Sequence, residues 1–347
     1  MIKIAVVGTG GMAHQHAKEF SAIRGTKLVA ACDIVRERAD AFASKHGIHE
    51  VYDDVDELLA QSEFDAVSVV TTDDAHAPVS LKAIAKGKHV LCEKPLATNY
   101  IEAKSMADAA RQAGVINMVN LSYRNAAAIQ KAHQLVQQGV IGKVMHIEAS
   151  YLQGWLSSTY WGDWRSGTGM LWRLSTAHGS LGVLGDIGVH IIDFTTYAAG
   201  DIQSVNCRLK TFPKVEGDRL GDYVLDANDS AVITIEMIGG AIGTIHTSRW
   251  ATGQRNSLRL RIYGDEGALV VDLDQSWNSL QICRGKDVDK AVWKTLACGK
   301  TPNIYQRFIK SIRTGENDQP DFGRGATVQK VMDACIESNL KGHYVAI

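Results

Sequence analysis

The sequence predicts an α/β protein whose first third forms a parallel sheet and whose remainder forms an α+β domain. Up to about residue 123, short apolar strands alternate with helical stretches, as they do when helices cross over a parallel sheet. Beyond that point, consecutive strand-like runs are joined by short turns, which indicates antiparallel hairpins. The chain of 347 residues is also longer than one typical domain. We therefore expect two domains, 1–123 and 124–347.

The first domain is expected to contain five apolar strands with helical stretches between them. The predicted strands are Lys3–Val7, Lys27–Cys32, Ala66–Thr71, His89–Cys92 and Val115–Val119. The predicted helices are Ala13–Ile23, Val35–His46, Val55–Gln61, Pro78–Lys86 and Tyr100–Gln112. Most of these helices are followed by a glycine, the residue that commonly ends a helix in the left-handed conformation.

The second domain is expected to combine helices with several hairpins. Its predicted helices are Ala126–Gln138, Asp186–Ala199, Ile304–Thr314 and Thr327–Lys341. Its predicted strands are Lys143–Tyr151, Val205–Phe212, Ala231–Met237, Ala241–Trp250, Leu258–Tyr263, Ala268–Leu273 and Leu280–Cys283. Hairpin turns are predicted at Gly239-Gly240 and at 264–267. A long loop rich in Gly, Trp and Ser occupies 153–184.

Charge and hydropathy argue against several classes of protein. The net charge is −1 and no run of Lys and Arg forms a basic stripe, so we expect no nucleic-acid partner. No apolar run approaches the roughly 18 residues of a membrane-spanning helix, so we expect no membrane association. The chain starts directly with an apolar strand rather than with the pattern of a signal peptide. We therefore expect a cytoplasmic protein.

The six cysteines are scattered and form no Cys-x-x-Cys pair. This distribution is typical of reduced thiols rather than of a disulfide framework or a zinc site. No His, Cys or Glu cluster has the spacing of metal ligands. We expect no bound metal.

The turn after the first strand carries a dinucleotide-binding pattern. In Gly-x-Gly-x-x-Ala, Gly8 makes the tight turn, Gly10 lets the backbone approach a pyrophosphate, and Ala13 allows close packing of helix on strand. The helix that begins here offers unpaired N–H groups to phosphates. Asp33 ends the second strand about 20 residues further on. A carboxylate there accepts hydrogen bonds from the ribose and repels a 2′-phosphate, so the pattern predicts NAD.

NADP stays open as an alternative, because Arg36 and Arg38 follow Asp33 closely. Either guanidinium is able to bind a 2′-phosphate if the segment folds toward the nucleotide. We favour the interpretation that both arginines lie on a solvated helix face.

Two further motifs are more particular. Gly87–Leu96 reads Gly-Lys-His-Val-Leu-Cys-Glu-Lys-Pro-Leu, and Gly185–Asp193 reads Gly-Asp-Ile-Gly-Val-His-Ile-Ile-Asp. In these motifs, and in Ser122-Tyr123-Arg124 and Trp172-Arg173, the chain resembles the glucose–fructose oxidoreductase / inositol dehydrogenase / rhizopine-catabolism (Gfo/Idh/MocA) family. The resemblance covers nearly the whole chain. One departure lies at 71–76, where Thr-Thr-Asp-Asp-Ala-His replaces the usual Thr-Pro-Asn before the histidine.

The resemblance implies a doubly wound Rossmann domain followed by a large, mostly antiparallel open sheet, with the active site between the two domains. It implies hydride transfer between nicotinamide and a secondary hydroxyl of a sugar or cyclic polyol, in a homodimer or homotetramer. The catalytic residues it implies are Lys94, Asp186 and His190. The substrate contacts it implies are Tyr123, Arg173, Asp186 and His190. The cofactor contacts it implies are Gly8, Gly10, Gly11, Met12, Asp33, Thr71, Asp73, His76, Glu93 and Lys94.

The residue types suit this chemistry. Oxidising an alcohol requires a base at the hydroxyl and positive charge beside the developing alkoxide. His190 has an unperturbed pKa of about 6.5, and Lys94 ends a strand at the sheet edge where such folds bind ligands. Asp186 precedes His190 by four residues and so shares a helix face with it. Pro95 permits a cis peptide bond after Lys94.

Other polar residues have structural interpretations. We expect Asp193 to hydrogen-bond within its domain, and His14 and His16 to pack or to face solvent. The aromatic and guanidinium groups of the long loop either bind a carbohydrate or pack between domains or subunits, and both interpretations stay open. These loop residues are Trp155, Trp161, Trp164, Arg165, Trp172 and Arg173.

Two other functions are compatible with the same fold. Some members of the family hydrolyse glycosides with tightly held NAD that is regenerated at the end of the cycle, so they release no NADH. A dinucleotide-binding sensor without activity is the other alternative. The presence of Lys94, Asp186 and His190 together argues against a sensor.

Overall fold

In the computed structural model, which describes residues 1–166 and 168–347, the chain divides into two units. The first unit contains Met1–Ser122 and Pro302–Gln329, and the second contains Tyr123–Thr301 and Lys330–Ile347. The first break along the chain lies beside the boundary expected at residue 123. Residues 302–329 were expected in the second domain, but they group with the first unit.

The first unit is built on a six-stranded sheet in which all neighbouring strands run parallel. Its strands, named in chain order, are β1 (Ile2–Val7), β2 (Thr26–Cys32), β3 (Glu50–Tyr52), β4 (Ala66–Val69), β5 (His89–Cys92) and β6 (Asn117–Val119). The helices between them are α1 (Gly11–Ser21), α2 (Arg36–His46), α3 (Val55–Gln61), α4 (His76–Ala85) and α5 (Tyr100–Ala113). The predicted parallel sheet is confirmed. The sequence did not predict β3, since Glu-Val-Tyr is too short to show a hydrophobic pattern.

The strand order, β3-β2-β1-β4-β5-β6, reverses direction between β1 and β4. In sheets of this kind, ligands bind outside the carboxyl ends of the strands at the point of reversal. Gly8, Asp33, Thr71 and Lys94 each follow one of these strands by one or two residues. The topology therefore brings the predicted residues of the first unit to one sheet edge.

The second unit contains a nine-stranded sheet. Its strands are β7 (Val144–Leu152), β8 (Ile202–Lys210), β11 (Ser230–Met237), β12 (Ile242–Ser248), β13 (Ser257–Gly264), β14 (Gly267–Asp272), β15 (Ser279–Arg284), β16 (Lys294–Ala297) and β17 (Val345–Ala346). Their order across the sheet is β16-β15-β14-β13-β7-β12-β11-β8-β17. A separate ribbon pairs β9 (Arg219–Leu220) with β10 (Tyr223–Val224). The helices of this part are α6 (Ala127–Gln137), α7 (Thr168–Leu171) and α8 (Val189–Ala199).

This sheet is antiparallel except for the β7–β12 pair, which confirms the predicted architecture. Both predicted hairpins are present, between β11 and β12 and between β13 and β14. One face of the sheet packs on α6 and α8. On the opposite face, the apolar side chains of Val232 and Ile242 are more than half exposed.

Two helices, α9 (Ile304–Thr314) and α10 (Phe322–Lys341), lie near the end of the chain. A capping box starts α9: the Asn303 side chain accepts the N–H of Gln306, and the Gln306 side chain accepts the N–H of Asn303. Among the helices of the described residues, none has both the length and the apolar character that crossing a bilayer requires.

Helix α9 packs into the core of the first unit. Tyr305 and Phe308 belong to the same apolar cluster as Phe20 of α1, and both rings meet Phe20 at steep angles. This packing explains why 302–329 groups with the first unit. The sequence prediction missed it because local patterns do not report contacts between distant segments.

We predict that Phe308→Ala lowers the free energy of unfolding by about 3 to 5 kcal/mol, because it leaves a cavity in a fully buried aromatic cluster. Ile101→Ala on the exposed face of α5 is the control, with an expected change below about 0.5 kcal/mol. Urea unfolding followed by circular dichroism measures both. A loss as small as that of the control would contradict the packing of α9 in this core.

Candidate active site

Gly8 occupies a position that requires glycine. Its φ of 86° lies in the left-handed region, and a Cβ there would lie 2.5 Å from the carbonyl oxygen of Val70. By contrast, a Cβ on Gly10 or Gly11 would meet no atom within 4 Å. Gly10 is the N-cap of α1, and no side chain caps this helix end or places a carboxylate in its first turn. The turn thus leaves space and N–H donors that fit a dinucleotide pyrophosphate.

Asp33 ties the end of β2 to this turn. Its Oδ2 accepts hydrogen bonds from the N–H and the hydroxyl of Thr9, at 2.8 and 2.9 Å, and its Oδ1 accepts the N–H of Val35 at 3.0 Å. The carboxylate is therefore fixed beside the glycine turn, where it fits a ribose. Arg36 forms an exposed ion pair with Asp40 along α2 at 3.1 Å, as expected for a solvated helix face.

A hydrogen bond from His76 links the segment after β4 to the segment after β5. Thr71 follows β4, and Asp73–Ala75 form one 3-10 turn that leads into α4 at His76. The buried His76 ring donates from Nδ1 to the carbonyl oxygen of Pro95 at 2.7 Å, and burial lowers the pKa of this imidazole. The Lys94–Pro95 peptide bond is cis, as the sequence allows. His76 therefore supports the turn that carries Lys94.

Glu93, directly before Lys94, is buried in a polar network. Its Oε1 contacts Nε2 of His16 at 2.8 Å and accepts from the amide of Asn120, while its Oε2 accepts the N–H of Lys94 at 3.2 Å. Nδ1 of His16 contacts the hydroxyl of Ser68 at 2.7 Å. Burial favours a higher pKa for Glu93, but the hydrogen bond and charge of His16 and the charge of Lys94 outweigh it and bring the pKa to about 2. His16, expected only to pack or to face solvent, is thus part of the support of Lys94.

In the second unit, the motif residues follow one another along a helical segment. Leu184–Gly188 form a single π turn that continues directly as α8. Asp186 lies in this turn, and His190 and Asp193 lie in the α-helix. The prediction of a regular helix from Asp186 was wrong at its first turn, because a π turn leaves no distinct sequence pattern. Such turns are frequent at functional sites.

Two buried arginines hold the carboxylates on either side of His190. Arg124 donates two hydrogen bonds to Asp193, at 2.7 and 2.6 Å, and both side chains are almost inaccessible. Arg249 donates to Oδ2 of Asp186 at 3.0 Å. The structural role expected for Asp193 is confirmed. The sequence analysis missed Arg249, which stands outside the recognised motifs.

The rings of two tyrosines contact His190, and their hydroxyl groups belong to a hydrogen-bonded cluster. The His190 ring meets that of Tyr123 edge to face, with 4.9 Å between centroids. The Tyr123 hydroxyl bonds to that of Tyr151 at 2.5 Å and accepts from the amide of Asn256 at 2.6 Å. Gln153 donates to the amide oxygen of Asn256 at 2.9 Å. Burial raises the pKa of Tyr151, so its phenol stays neutral and able to donate.

Tyr151, Gln153 and Asn256 were not predicted as site residues. They lie at one end of the sheet, because the last residue of β7, Leu152, pairs with the first residue of β13, Ser257. Only this register brings them together, and the sequence gives no sign of it beyond their positions near strand ends.

The long loop serves partly for packing. Trp155 and Trp164 are almost fully buried in an apolar cluster. The guanidinium of Arg173 lies over the Trp172 ring at 4.6 Å, and its Nε lies 3.9 Å from Oδ2 of Asp186. Trp155 and Trp164 therefore pack within the second unit, rather than between domains or subunits, whereas Arg173 lies beside a predicted catalytic residue.

Two family models match the chain. Residues 2–121 match an oxidoreductase family with an NAD-binding Rossmann fold, and residues 129–270 match a GFO/IDH/MocA C-terminal domain.

Named relatives are similar over most or all of the chain. The levoglucosan dehydrogenase of Pseudarthrobacter phenanthrenivorans is 26% identical over 100% of this chain and 98% of its own. The 1,5-anhydro-D-fructose reductase of Ensifer adhaerens is 35% identical over 72% of this chain and 70% of its own. A solved levoglucosan dehydrogenase in complex with NADH matches with a TM-score of 0.88 and 26% identity, over 100% of this chain and 99% of that one.

We predict that Gly8→Ala and Gly10→Ala separate folding from cofactor binding. Gly8→Ala should lower the free energy of unfolding by about 1 to 3 kcal/mol, because its backbone conformation and its Cβ are both strained. Gly10→Ala should leave stability unchanged but raise the Kd for NAD about tenfold or more, because its Cβ enters the space of the pyrophosphate. Thermal unfolding and calorimetric titration measure the two effects. Wild-type NAD affinity in Gly10→Ala would contradict the location of the pyrophosphate.

We predict that Glu93→Gln destabilises the protein in a pH-dependent way. Folding lowers the pKa of Glu93 from its ordinary 4.5 to about 2. The ionised carboxylate therefore stabilises the folded state above pH 4.5, by about 3 kcal/mol, and this contribution is lost as the pH falls toward 2. Urea unfolding at a series of pH values should show a wild-type advantage that shrinks below about pH 4.5.

The control for this measurement is Glu63→Gln, since the Glu63 side chain is almost fully exposed. It should show no pH-dependent difference from the wild type. A constant difference between Glu93→Gln and the wild type from pH 7 to about pH 3 would contradict the buried ionised state of Glu93.

Proposed function

Because the chain belongs to the Gfo/Idh/MocA family of oxidoreductases, we propose that it is an NAD-dependent dehydrogenase that oxidises a secondary hydroxyl of a sugar or cyclic polyol. The observation that carries this proposal is the group of side chains around His190. The rings of Tyr123 and Tyr151 lie beside the imidazole, and their hydroxyl groups form a hydrogen-bonded cluster with the amide of Asn256. Such donors and acceptors match the hydroxyl groups of a carbohydrate.

The substrate class is supported by the relatives. A levoglucosan dehydrogenase and a 1,5-anhydro-D-fructose reductase are both named for anhydro sugars, and a scyllo-inositol 2-dehydrogenase is named for a cyclic polyol. These compounds share a ring with several neighbouring hydroxyl groups. The same class of compound is therefore the first choice as substrate here.

Three side chains have separate roles at the substrate hydroxyl in the proposed reaction. We propose that His190 takes the hydroxyl proton as general base and that the ammonium of Lys94 stabilises the negative charge of the developing alkoxide. Asp186 accepts a hydrogen bond from the substrate and orients it, and Arg173 and Tyr123 contact the remaining part of the sugar. When bound, NAD supplies the nicotinamide ring that accepts the hydride.

NAD is proposed over NADP because of Asp33. A carboxylate fixed beside the glycine turn accepts hydrogen bonds from ribose hydroxyls and repels a 2′-phosphate. Arg36 is engaged with Asp40. The backbone around Gly8, Gly10, Gly11 and Met12 is proposed to hold the pyrophosphate. The segments of Thr71, Asp73, His76 and Glu93 are proposed to line the nicotinamide end of the cofactor.

We also propose that the protein is a cytoplasmic homo-oligomer. The sheet face that carries the exposed side chains of Val232 and Ile242 is a candidate for the contact between subunits. All six cysteines are free thiols, which suits a reducing compartment.

The test is a panel of sugars and polyols, including levoglucosan and myo-inositol, assayed with NAD and with NADP at the absorbance of the reduced nicotinamide. We predict one NADH per sugar oxidised. A hydrolase that regenerates its NAD would give sugar products without NADH, and a sensor would give neither.

Lys94→Ala and His190→Ala should each lower kcat by about 10²- to 10⁴-fold, because each removes proton or charge stabilisation in the transition state. Calorimetry should show NAD affinity close to the wild type. Full turnover of His190→Ala across the pH range would show that the base is a different group.

A further inference from the structure

Arg249 is a fully buried cation in the second unit. It directly follows β12, and its side chain is inaccessible to solvent. Burial lowers the pKa of this guanidinium, because removing a charged group from water carries a desolvation penalty. A guanidinium keeps its charge even when it is buried, so a carboxylate and hydrogen-bond acceptors must surround it to offset the cost of burial.

Arg249 connects three parts of the candidate site. It donates to the carbonyl oxygen of Arg173 at 2.9 Å, to that of Gly182 at 3.2 Å, and to Oδ2 of Asp186 at 3.0 Å. The Trp155 ring lies 5.3 Å from the guanidinium carbon. One rigid, planar group thus fixes the loop before the π turn and the carboxylate on that turn relative to each other.

A second buried ion pair lies next to Arg249. Lys214 and Asp229 contact each other at 2.8 Å, and both side chains are inaccessible. The N–H of Arg249 donates to the carbonyl oxygen of Asp229 at 2.9 Å. Because Asp229 forms its ion pair with Lys214, the carboxylate that pairs with Arg249 is that of Asp186.

We infer that Arg249 is a positioning residue for the reaction, which holds the carboxylate of Asp186 in one orientation toward the substrate. The inference rests on the proposed function, in which Asp186 contacts the sugar. Without Arg249, Asp186 rotates more freely and its negative charge loses its buried partner. The consequence is slower oxidation of the sugar, whereas NAD binding, which belongs to the first unit, is unaffected.

A double-mutant cycle tests this inference. It compares the wild type, Asp186→Asn, Arg249→Met and the double variant, with levoglucosan as substrate, or with myo-inositol if levoglucosan is not oxidised. We expect each single variant to lower kcat/KM for the sugar by about 10- to 100-fold. The double variant should be no slower than Asp186→Asn alone, because Arg249 acts through Asp186.

Two further variants are measured beside the cycle. Arg249→Lys keeps the charge but loses the planar donors, so its kcat/KM should lie between wild type and Arg249→Met. It also replaces Arg249→Met in the cycle if that variant does not fold. The matched control is Arg307→Met in the first unit, which removes an arginine with two bonds to Asp318, at 2.8 and 2.9 Å, and should leave kcat/KM unchanged.

Each outcome has one meaning. Losses that add up in the double variant would overturn the role of Arg249 while leaving Asp186 as a substrate contact. A raised Kd for NAD in Arg249→Met would also overturn it, since a positioning residue for Asp186 affects only the sugar. Wild-type kcat/KM in Asp186→Asn would refute the proposed role of Asp186 itself, and with it the inference.

Discussion

The helical segment that carries His190 is held on both sides by ion pairs, each between a buried arginine and a carboxylate of the segment. Arg249 fixes Asp186 in the turn before His190, and Arg124 fixes Asp193 in the turn after it. Buried ion pairs contribute little net stability, because desolvation offsets most of their attraction. Their effect here is geometric, because they anchor the helical segment on both sides of His190 and so restrict the position of its ring. A base that must take a proton from one particular hydroxyl requires this kind of fixed placement.

The first unit supports its own reactive residue in the same way. Glu93 is buried and ionised, and its contacts with His16 and Asn120 fix the backbone directly before Lys94. His76 holds the carbonyl group directly after it. Both units therefore follow one arrangement, in which buried neighbouring side chains fix the position of a candidate catalytic residue. Substitutions of these neighbours affect the reaction without touching the substrate.

The sequence predicted what local patterns encode. Apolar runs predicted the strands of the parallel sheet, and glycine-containing turns predicted the hairpins. The Gly8 turn together with Asp33 indicated the nucleotide site. The sequence did not identify His16, Arg249 or Asn256, because their partners lie far along the chain and are brought close only by the topology. The packing of α9 on the first unit was missed for the same reason. The π turn before His190 was missed because such a turn leaves no distinct sequence pattern. Sequence motifs named the candidate site residues, but they did not name the residues that contact and position those candidates.

In the proposed reaction, a ring C–H of the sugar transfers a hydride to nicotinamide, His190 accepts the hydroxyl proton, and Lys94 stabilises the developing alkoxide. The most direct measurement uses a sugar substrate deuterated at its ring carbons, incubated with NAD and analysed by mass spectrometry. The predicted result is one deuterium in the reduced nicotinamide for each keto sugar formed. Product sugar that appears while the dinucleotide stays oxidised and unlabelled would contradict it.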